Sequence, residues 1–234
     1  MGGSAGEAQN MDHLFCTVQT AQSRRIWEKL GRNYYDFVVV DEAHHSAANT
    51  YTEILGGFDP KILLGMTATP ERMDGDSILP LFNNRIAAEL RLPEALEEKL
   101  LCPFQYFCVA DPVSLADNSF WEQGKYKTSA LEKAYVEDNA TASQRLGAIL
   151  SALERYSFGN IGGVKGLGFC VSIKHAEFMA QSFNEKQIPS IALTSQTNDE
   201  IRKAAVQRLR SGDLKFIFTV DLFNEGVDIP EANL

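Results

Sequence analysis

The sequence predicts an α/β protein in which helices cover parallel sheets. Short apolar runs alternate along the 234 residues with segments of helical periodicity, a pattern typical of parallel strands joined by helices. The clearest runs, residues 36–40 and 61–66, are almost continuously apolar. Because helices cover both faces of a parallel sheet, we expect these two strands to be buried on both faces.

The other elements follow the same alternation. Residues 111–127 are polar and irregular, so a connecting segment is predicted at residues 102–127, between a first domain at 1–101 and a second at 128–234. Further strands are predicted at residues 14–18, 85–92, 104–109, 167–171, 188–193 and 215–220. Helices are predicted at residues 22–30, 93–100, 129–137, 142–156 and 174–186, with a last one between Thr197 and Gly212.

Composition restricts the possible partners. The formal net charge of −9 argues against electrostatic binding of nucleic acid over the whole surface, so such binding would depend on local basic positions. No apolar run approaches the roughly 18 residues of a membrane span, and residues 1–10 lack the pattern of a secretory signal. The cysteines form no CxxC pair and mostly lie in apolar runs, which indicates buried thiols in a reducing cytoplasm. They are Cys16, Cys102, Cys108 and Cys170.

Two carboxylates, Asp41 and Glu42, directly follow the apolar run at residues 37–40. A parallel strand that ends there places both at the carboxyl edge of the sheet, where open α/β folds bind ligands. Adjacent buried acids are costly unless a cation is near, and a magnesium–nucleotide supplies one. In phosphoryl-transfer sites a strand-end Asp holds Mg²⁺, and a neighbouring carboxylate can polarise the attacking water. The alternative is an acidic turn that caps the next helix.

A second apolar run, residues 63–66, ends in small hydroxyl residues. Thr67 and Thr69 flank an alanine, so backbone and hydroxyl groups can approach the carboxylate edge closely. Pro70 restricts Thr69 to an extended conformation. Taken alone, this pattern is also that of an ordinary exit from a strand. At this distance after the acidic strand, the combination of the two strand ends is a specific pattern.

Four motifs in this order resemble those of superfamily 2 helicases. DEAH at residues 41–44 and TATP at residues 67–70 resemble motifs II and III, residues 169–174 resemble motif IV, and residues 218–230 resemble motif V. The chain is most similar to the type III restriction and excision-repair branch, including bacterial multidomain helicases that often carry a phospholipase-D-like nuclease. The resemblance implies two RecA-like lobes with parallel sheets flanked by helices.

The resemblance also implies catalytic roles in the first lobe. Asp41 would coordinate Mg²⁺, and Glu42 would activate water for ATP hydrolysis. His44 and the pair Thr67 and Thr69 would couple the nucleotide state to closure of the lobes. ATP and Mg²⁺ are therefore the expected cofactors.

Motif V is expected to contact both ligands. By the resemblance, Gly226 and Asp228 would approach the nucleotide, and Thr219 would lie near the nucleic-acid backbone. Gly226 permits close approach of the backbone, and Pro230 ends the segment. The alternative for an isolated pair of this kind is a loop glycine followed by a turn-capping aspartate.

Two segments are candidates for nucleic-acid contact. Thr17, Gln19 and Thr20 resemble the backbone-binding segment of the first lobe, and Ser172 and Lys174 occupy the matching edge of the second. Hydroxyl, amide and helix-start N–H groups bind phosphates without reading bases. The expected partner is therefore DNA, bound through its backbone and not by sequence. For Lys174, a solvated surface charge is the alternative.

Two motifs of the family are absent from the sequence. No GxxxxGK[ST] occurs, and the glycine-rich residues 159–168 precede a strand instead of following one, so they are interpreted as a flexible connector. Motif VI (QxxGRxxR), which carries the arginine finger, is also absent. We therefore expect a fragment in which the start of the first lobe and the end of the second are missing.

This chain alone is expected to hydrolyse ATP negligibly. The missing elements are the phosphate cradle and the arginine finger, and the finger contributes about 10³–10⁵ in rate in comparable enzymes. A phosphate-release assay on the purified chain measures this turnover. Robust hydrolysis that disappears with Glu42→Gln would contradict the prediction.

The sequence thus predicts the motor of an ATP-dependent DNA helicase or translocase. It leaves open whether the motor serves a restriction or repair nuclease, whose nuclease domain would lie elsewhere in the full-length chain. An RNA helicase is a further alternative, because backbone contacts do not read bases. A binding module without turnover is disfavoured, since Asp41 and Glu42 are both present.

Overall fold

The elements are placed by a computed structural model that describes residues 11–44, 49–68, 77–122, 124–220 and 229–234. The chain divides into two units, Met1–Phe104 (unit 1) and Gln105–Leu234 (unit 2). No helix in the described ranges is long and apolar enough to cross a membrane.

Unit 1 is built on two parallel strands. β1 (Phe37–Val40) pairs with β2 (Ile62–Gly65), and Phe37 lies opposite Ile62. Both strands fall within the predicted runs, which confirms them. The helical elements of the described part are α1 (Val18–Arg24), α2 (Ile26–Leu30), α3 (Asn49–Gly57), a 3₁₀ turn at Leu79–Phe82 and α4 (Leu92–Glu97).

The prediction that these strands are buried on both faces is wrong. Burial alternates along them: Phe37, Val39 and Ile62 are exposed, whereas Val38 and Leu63 are half-buried. Successive side chains of a strand point to opposite faces. The described residues of unit 1 therefore cover one face of the β1–β2 pair.

The strand predicted at residues 14–18 is also wrong. The side chain of Thr17 accepts the N–H of Thr20 at 3.2 Å and caps α1, so the helix begins directly after Thr17. The helix predicted at residues 22–30 is present but interrupted. Arg25 takes a left-handed conformation, with φ of 46°, between α1 and α2.

The strands predicted at residues 85–92 and 104–109 are wrong as well. Neither segment forms a ladder with another strand of the described ranges, and apolar composition does not make a strand without a partner. The helix predicted at residues 93–100 is confirmed by α4. Its start is fixed by Glu94, whose carboxylate accepts the N–H of Arg91.

Unit 2 contains a parallel sheet in the strand order β5–β7–β6. β5 (Gly166–Phe169), β6 (Ser190–Leu193) and β7 (Phe216–Thr219) confirm the three strands predicted for this region. The connections run through helices, as parallel strands require. The other described elements are the hairpin β3 (Trp121–Glu122) and β4 (Lys125–Tyr126), α5 (Thr128–Glu132), a π-helical turn at Lys133–Glu137, α6 (Asn139–Tyr156), α7 (Ile173–Glu185) and α8 (Asp199–Ser211).

The core of unit 2 lies on both faces of this sheet. On one face, Phe183 of α7 packs edge-on against Phe216 and Phe218 of β7, with ring centroids 5.0 and 4.9 Å apart. On the other face, Leu209 of α8 and Ile217 of β7 belong to a second buried cluster. The central strand β7 is therefore buried throughout. Its pairing with β5 fixes the end of β5, which precedes the start of α7 in the chain.

Gly166 and Gly168 make room for these phenylalanines. They lie opposite Phe216 and Phe218 in the register of β5 and β7, and a Cβ on either glycine would fall 2.2 or 2.3 Å from the neighbouring ring. The interpretation of residues 159–168 as a flexible connector is therefore wrong at its end, because the last glycines are strand residues that permit close packing.

The prediction of buried thiols is wrong for three of the four cysteines. Cys16, Cys102 and Cys108 are exposed, because the apolar segments around them do not form strands. Cys170, directly after β5, is half-buried, and burial raises its pKa to about 12.

Candidate functional site

The DEAH turn folds over the end of β2. Backbone pairing continues past both strands: the N–H of Met66 donates to the carbonyl of Val40, and the N–H of Ala43 donates to the carbonyl of Met66, both at 2.9 Å. Ala43 is completely buried. These bonds place Asp41 and Glu42 on a turn at the carboxyl edge of the strand pair, with Asp41 exposed and Glu42 partly exposed.

Gly65 allows this turn to pack closely on β2. A Cβ at this position would lie 3.0 Å from Cβ of Ala43 and 2.5 Å from Cζ of Phe82. The glycine at the end of the second apolar run therefore serves the geometry of the acidic turn, a role that the sequence pattern did not indicate.

His44 joins the two predicted motifs of unit 1. Its Nδ1 lies 2.9 Å from Oγ1 of Thr67 and 3.3 Å from Oε2 of Glu42. Glu42 has a φ of 49°, a left-handed value that is uncommon for residues other than glycine and occurs often at functional sites. The structure thus brings Glu42, His44 and Thr67 together, although 25 positions separate the first and last in sequence numbering.

Tyr51 on α3 is a neighbour of this site that the sequence patterns did not indicate. Burial, and then the negative charge of Glu42, raise the pKa of the Tyr51 phenol. The phenol of Tyr51 is therefore part of the electrostatic surroundings of Glu42. A lone tyrosine in an amphipathic helix carries no pattern that would have predicted this.

Asp41 carries a carboxylate suited to a nucleotide-bound magnesium ion. Its Oδ1 accepts the N–H of Glu42 at 3.0 Å, which fixes the side chain at the exposed edge. Magnesium bound with a nucleotide takes one or two carboxylates and completes its octahedron with phosphate oxygens and water. The donor chemistry of Asp41 therefore fits such an ion.

The first predicted nucleic-acid segment forms the start of α1. Oγ1 of Thr17 donates to Oγ1 of Thr20 at 2.9 Å and accepts the N–H of the same residue. Thr17 and Gln19 are exposed, and Thr20 is half-buried. The three residues therefore lie on one turn of backbone, and their contact with nucleic acid stays a prediction.

The second predicted segment forms the start of α7. Ser172 is the N-cap, and its Oγ accepts the N–H of His175 at 3.2 Å. Lys174 lies in the first turn, where its Nζ is 2.7 Å from Oε1 of Glu132 and 3.5 Å from Oε1 of Glu137. Serine and lysine are thus close together, and carboxylates contact the lysine.

Two of the nucleic-acid candidates are buried: Ser172 is 9% exposed, and Thr219 is completely buried at the end of β7. The carbonyl of Thr219 accepts the N–H of Cys170 at 2.8 Å. Thr69, Gly226 and Asp228, the remaining predicted residues, lie outside the described ranges. Their roles stay predictions.

His175 is a buried residue that the sequence analysis did not select. Its exposed fraction is 3%, the N–H of Val171 donates to its Nδ1 at 3.3 Å, and Nη1 of Arg145 lies 3.3 Å from its Nε2. A neutral imidazole has one acceptor nitrogen, and a protonated one has none. Burial and then the charge of Arg145 lower the pKa of His175 to about 4, so this side chain is neutral at pH 7.

Arg145 connects this histidine with Asp111, which precedes α5 in the chain. Its Nε donates to Oδ2 of Asp111 at 2.8 Å, and its guanidinium lies 3.9 Å from the ring centroid of Tyr135. Cation–π and ionic contacts on a partly buried guanidinium reinforce each other. The start of α7 is thereby tied to α6 and to the segment before α5.

Two protein families match this chain, in the order expected from the motifs. Residues 2–72 match the family described as type III restriction enzyme, res subunit, and residues 148–234 match the helicase conserved C-terminal domain. The chain belongs to the superfamily 2 helicases. The first match contains the DEAH turn of this helicase chain and the second contains motifs IV and V, which confirms the resemblance on which the site was predicted.

Individual relatives are similar at low identity. The chain is 25% identical to a 51.5 kDa protein of a Lactococcus phage over 84% of its length, and 25% identical to the putative ATP-dependent helicase IRC3 of Saccharomyces cerevisiae over its whole length. It spans 41% of the first and 33% of the second. A further relative, 23% identical over 93% of the chain and 54% of its own length, is the DNA 3'-5' translocase XPB2 of Sulfurisphaera tokodaii.

Among solved structures, the helicase domain of Hef from Pyrococcus furiosus is similar, with a TM-score of 0.44 at 13% identity. The match covers 92% of this helicase chain and 68% of the other.

Proposed function

We propose that this chain is part of the motor of an ATP-dependent DNA helicase or translocase. The observation that carries the proposal is the contact of His44 with both Glu42 and Thr67, at 3.3 and 2.9 Å. It links the acidic turn at the end of β1 to the loop after β2, so that a change at the carboxylates reaches the neighbouring loop. The matches to the two helicase families support the same function.

The residues of the acidic turn divide the chemistry of ATP hydrolysis. Asp41 would hold the magnesium ion of the nucleotide, which supplies positive charge to the phosphate oxygens. Glu42 would orient the attacking water and accept its proton. The contact with His44 fixes the carboxylate of Glu42, and fixed geometry is what a general base requires.

His44 and Thr67 are the proposed coupling residues in the described part of unit 1. Thr69 is proposed as a third, and Gly226 and Asp228 are proposed to approach the nucleotide. The coupling acts through a hydrogen bond, since the hydroxyl of Thr67 can follow a shift of the imidazole. When the two lobes close and open around the nucleotide, their contacts with nucleic acid would then move along the nucleic-acid strand.

The proposed nucleic-acid contacts are directed to the backbone. Thr17, Gln19 and Thr20 would supply hydroxyl, amide and N–H groups, and Ser172 and Lys174 would add a hydroxyl and an ammonium. Thr219 is a proposed backbone neighbour, and both Thr219 and Ser172 would need to become accessible, because they are buried. With a net charge of −9, the chain depends on such local groups.

A motor for a restriction or repair nuclease is the second candidate. The match of residues 2–72 to the res subunit of type III restriction enzymes favours it, and the nuclease domain would then lie elsewhere in the full-length protein. A cytoplasmic location is proposed for either function, because the chain has free cysteines and DNA is its proposed substrate.

Nucleic-acid-stimulated ATPase activity of the full-length protein tests the proposed function. We expect DNA to stimulate ATP hydrolysis in the presence of Mg²⁺, and the rate to exceed that with RNA of the same sequence. Equal rates of ATP hydrolysis with and without nucleic acid would contradict the proposed motor function. Stimulation by RNA alone would replace DNA with RNA as the substrate.

Replacing Thr67 with valine is expected to lower DNA-stimulated ATP hydrolysis about two- to tenfold. The change keeps the shape and removes the hydroxyl that contacts His44, and a hydrogen bond of this kind contributes roughly 0.5–1.5 kcal/mol. Thr67→Ser keeps the hydroxyl and is the matched control. Equal loss in both variants would show that packing at Thr67, and not its hydroxyl, matters.

A further inference from the structure

Lys174, one of the two residues proposed to bind the nucleic-acid backbone in unit 2, is paired with a carboxylate of the same unit. Its Nζ lies 2.7 Å from Oε1 of Glu132. Glu132 is 42 positions away in the chain, so this contact is made by the tertiary fold. The proposed phosphate-binding lysine is therefore already paired with an anion of the same protein.

Glu132 is held in place at the junction of two helical segments. It is the last residue of α5, and a π-helical turn at Lys133–Glu137 follows directly. Its side chain is 20% exposed, against 61% for Lys174. The hydrogen bonds from Lys174 and then Ser172 lower the pKa of the Glu132 carboxyl, so it is ionised at neutral pH. Turns of the π type in helices are frequent at functional sites.

A phosphate of nucleic acid would use the same ammonium. A hydroxyl at a helix N-cap and an ammonium in the first turn of that helix are ordinary partners of phosphate oxygens. The ammonium of Lys174 has the Glu132 carboxylate as its partner in this structure. A carboxylate and a phosphate cannot occupy one position, because two anions at hydrogen-bond distance repel each other strongly.

We propose that Glu132 is an internal competitor of the nucleic-acid backbone for Lys174. The inference rests on the proposed function, because it assumes that this lysine contacts phosphate. Binding of a strand then requires Lys174 to leave Glu132, and the contact forms only where the strand displaces the carboxylate. Glu137, 3.5 Å from the same Nζ, is the secondary carboxylate to which Lys174 can shift.

The exchange has a consequence for the salt dependence of binding. A lysine that binds a phosphate normally releases about 0.7 counterion per contact on a single strand. When Lys174 leaves Glu132, the freed carboxylate attracts cations from solution and offsets part of that release. The native protein should therefore show a shallower salt dependence than a variant in which Glu132 is neutral.

The test measures binding of the full-length protein to a labelled oligodeoxythymidine over a series of salt concentrations. Glu132→Gln removes the competing charge, and Glu132→Asp keeps the charge but shortens the side chain by one methylene, which weakens its contact with Lys174. Glu185→Gln is the matched control, because it removes an exposed carboxylate at the opposite end of α7. Lys174→Ala is made alone and with Glu132→Gln.

We expect Glu132→Gln to bind the oligonucleotide about two- to fivefold more tightly at low salt, the size typical of a released surface ion pair. Its salt dependence should be steeper by up to about 0.7 in the logarithmic slope. Glu132→Asp should also bind more tightly, which separates local competition from net charge. The gain should disappear when Lys174→Ala is added.

Each contrary result has a definite meaning. Equal affinities for Glu132→Gln and Glu185→Gln would overturn the proposal, since only net charge would then matter. Weaker binding by both Glu132 variants, with unchanged thermal unfolding, would overturn it in favour of a supporting role for Glu132. Equal binding by the wild type and by Lys174→Ala would overturn it, because Lys174 would then not contact phosphate. Wild-type protein that binds no nucleic acid would instead contradict the proposed function itself.

Discussion

Replacing Glu42 with glutamine in the full-length helicase is expected to lower kcat for ATP hydrolysis about 10²–10⁴-fold, the usual contribution of a general base. Glutamine is nearly isosteric with glutamate, so the acidic turn, its backbone bonds to Met66 and the packing of Ala43 should be preserved. What is lost is the ability to accept a proton from the attacking water. The affinity for ATP should therefore change much less than kcat.

Steady-state ATPase assays with saturating DNA measure this effect. Glu53→Gln is a matched control, because Glu53 is an exposed residue of α3 in the same unit and the change removes the same charge. The control should keep the wild-type rate. If Glu42→Gln retained more than about a tenth of the wild-type kcat, Glu42 would not be the general base.

Acidification is expected to destabilise unit 2 through His175, by about 3 kcal/mol at pH 4. Its pKa is about 4 in the folded protein and about 6.5 in an unfolded chain, because burial and Arg145 disfavour the imidazolium. The unfolded state therefore binds more protons between these values. The contribution of neutral His175 to the free energy of unfolding is fully present above pH 6.5, and it decreases as the pH falls toward 4.

The groups around His175 do not offset this loss. The guanidinium of Arg145 and the N–H of Val171 are donors, and the phenol of Tyr135, whose pKa is raised by burial, carries no negative charge at these pH values. Asp111 favours the imidazolium, but it is a smaller influence than burial and the guanidinium. Protonation of His175 would thus remove the one acceptor nitrogen of the ring, although donors lie at both of its nitrogens.

Hydrogen exchange of the amides of α7 and β7 in the full-length protein measures this stability. Wild type and His175→Gln are compared at the same pH, so that the intrinsic exchange rate cancels. As the pH falls from 6.5 to 4, the amides of the wild-type protein should lose protection relative to those of the variant. Parallel pH profiles for the two proteins would exclude His175 as the titrating group, and no other histidine occurs in unit 2.

The sequence located the strands that carry a continuous apolar pattern. β1, β2, β6 and β7 lie within predicted runs, and β5 overlaps one of them, because apolar residues of this kind favour strands that pack in a sheet. The runs at 85–92 and 104–109 are similar in composition, yet they form no strand in the described structure. A strand depends on hydrogen bonds from a neighbour, and composition does not say whether that neighbour is present.

The site shows the same division. Order and spacing of the DEAH and TATP motifs were enough to predict that Glu42, His44 and Thr67 belong together, since the ends of adjacent parallel strands meet at one edge. The sequence did not indicate that Gly65 is required for the close packing of Ala43. That requirement arises from the distance between two chain segments.

By itself, the sequence determined the family, the position of the acidic turn at the end of β1 and the approximate positions of β1, β2, β5, β6 and β7, because each is carried by short runs of residues along the chain. Only the tertiary structure decided that His175 is neutral between Val171 and Arg145, and that Lys174 is paired with Glu132. Both depend on burial and on contacts between distant residues. Such contacts set the free energy of a charge, and no local pattern records them.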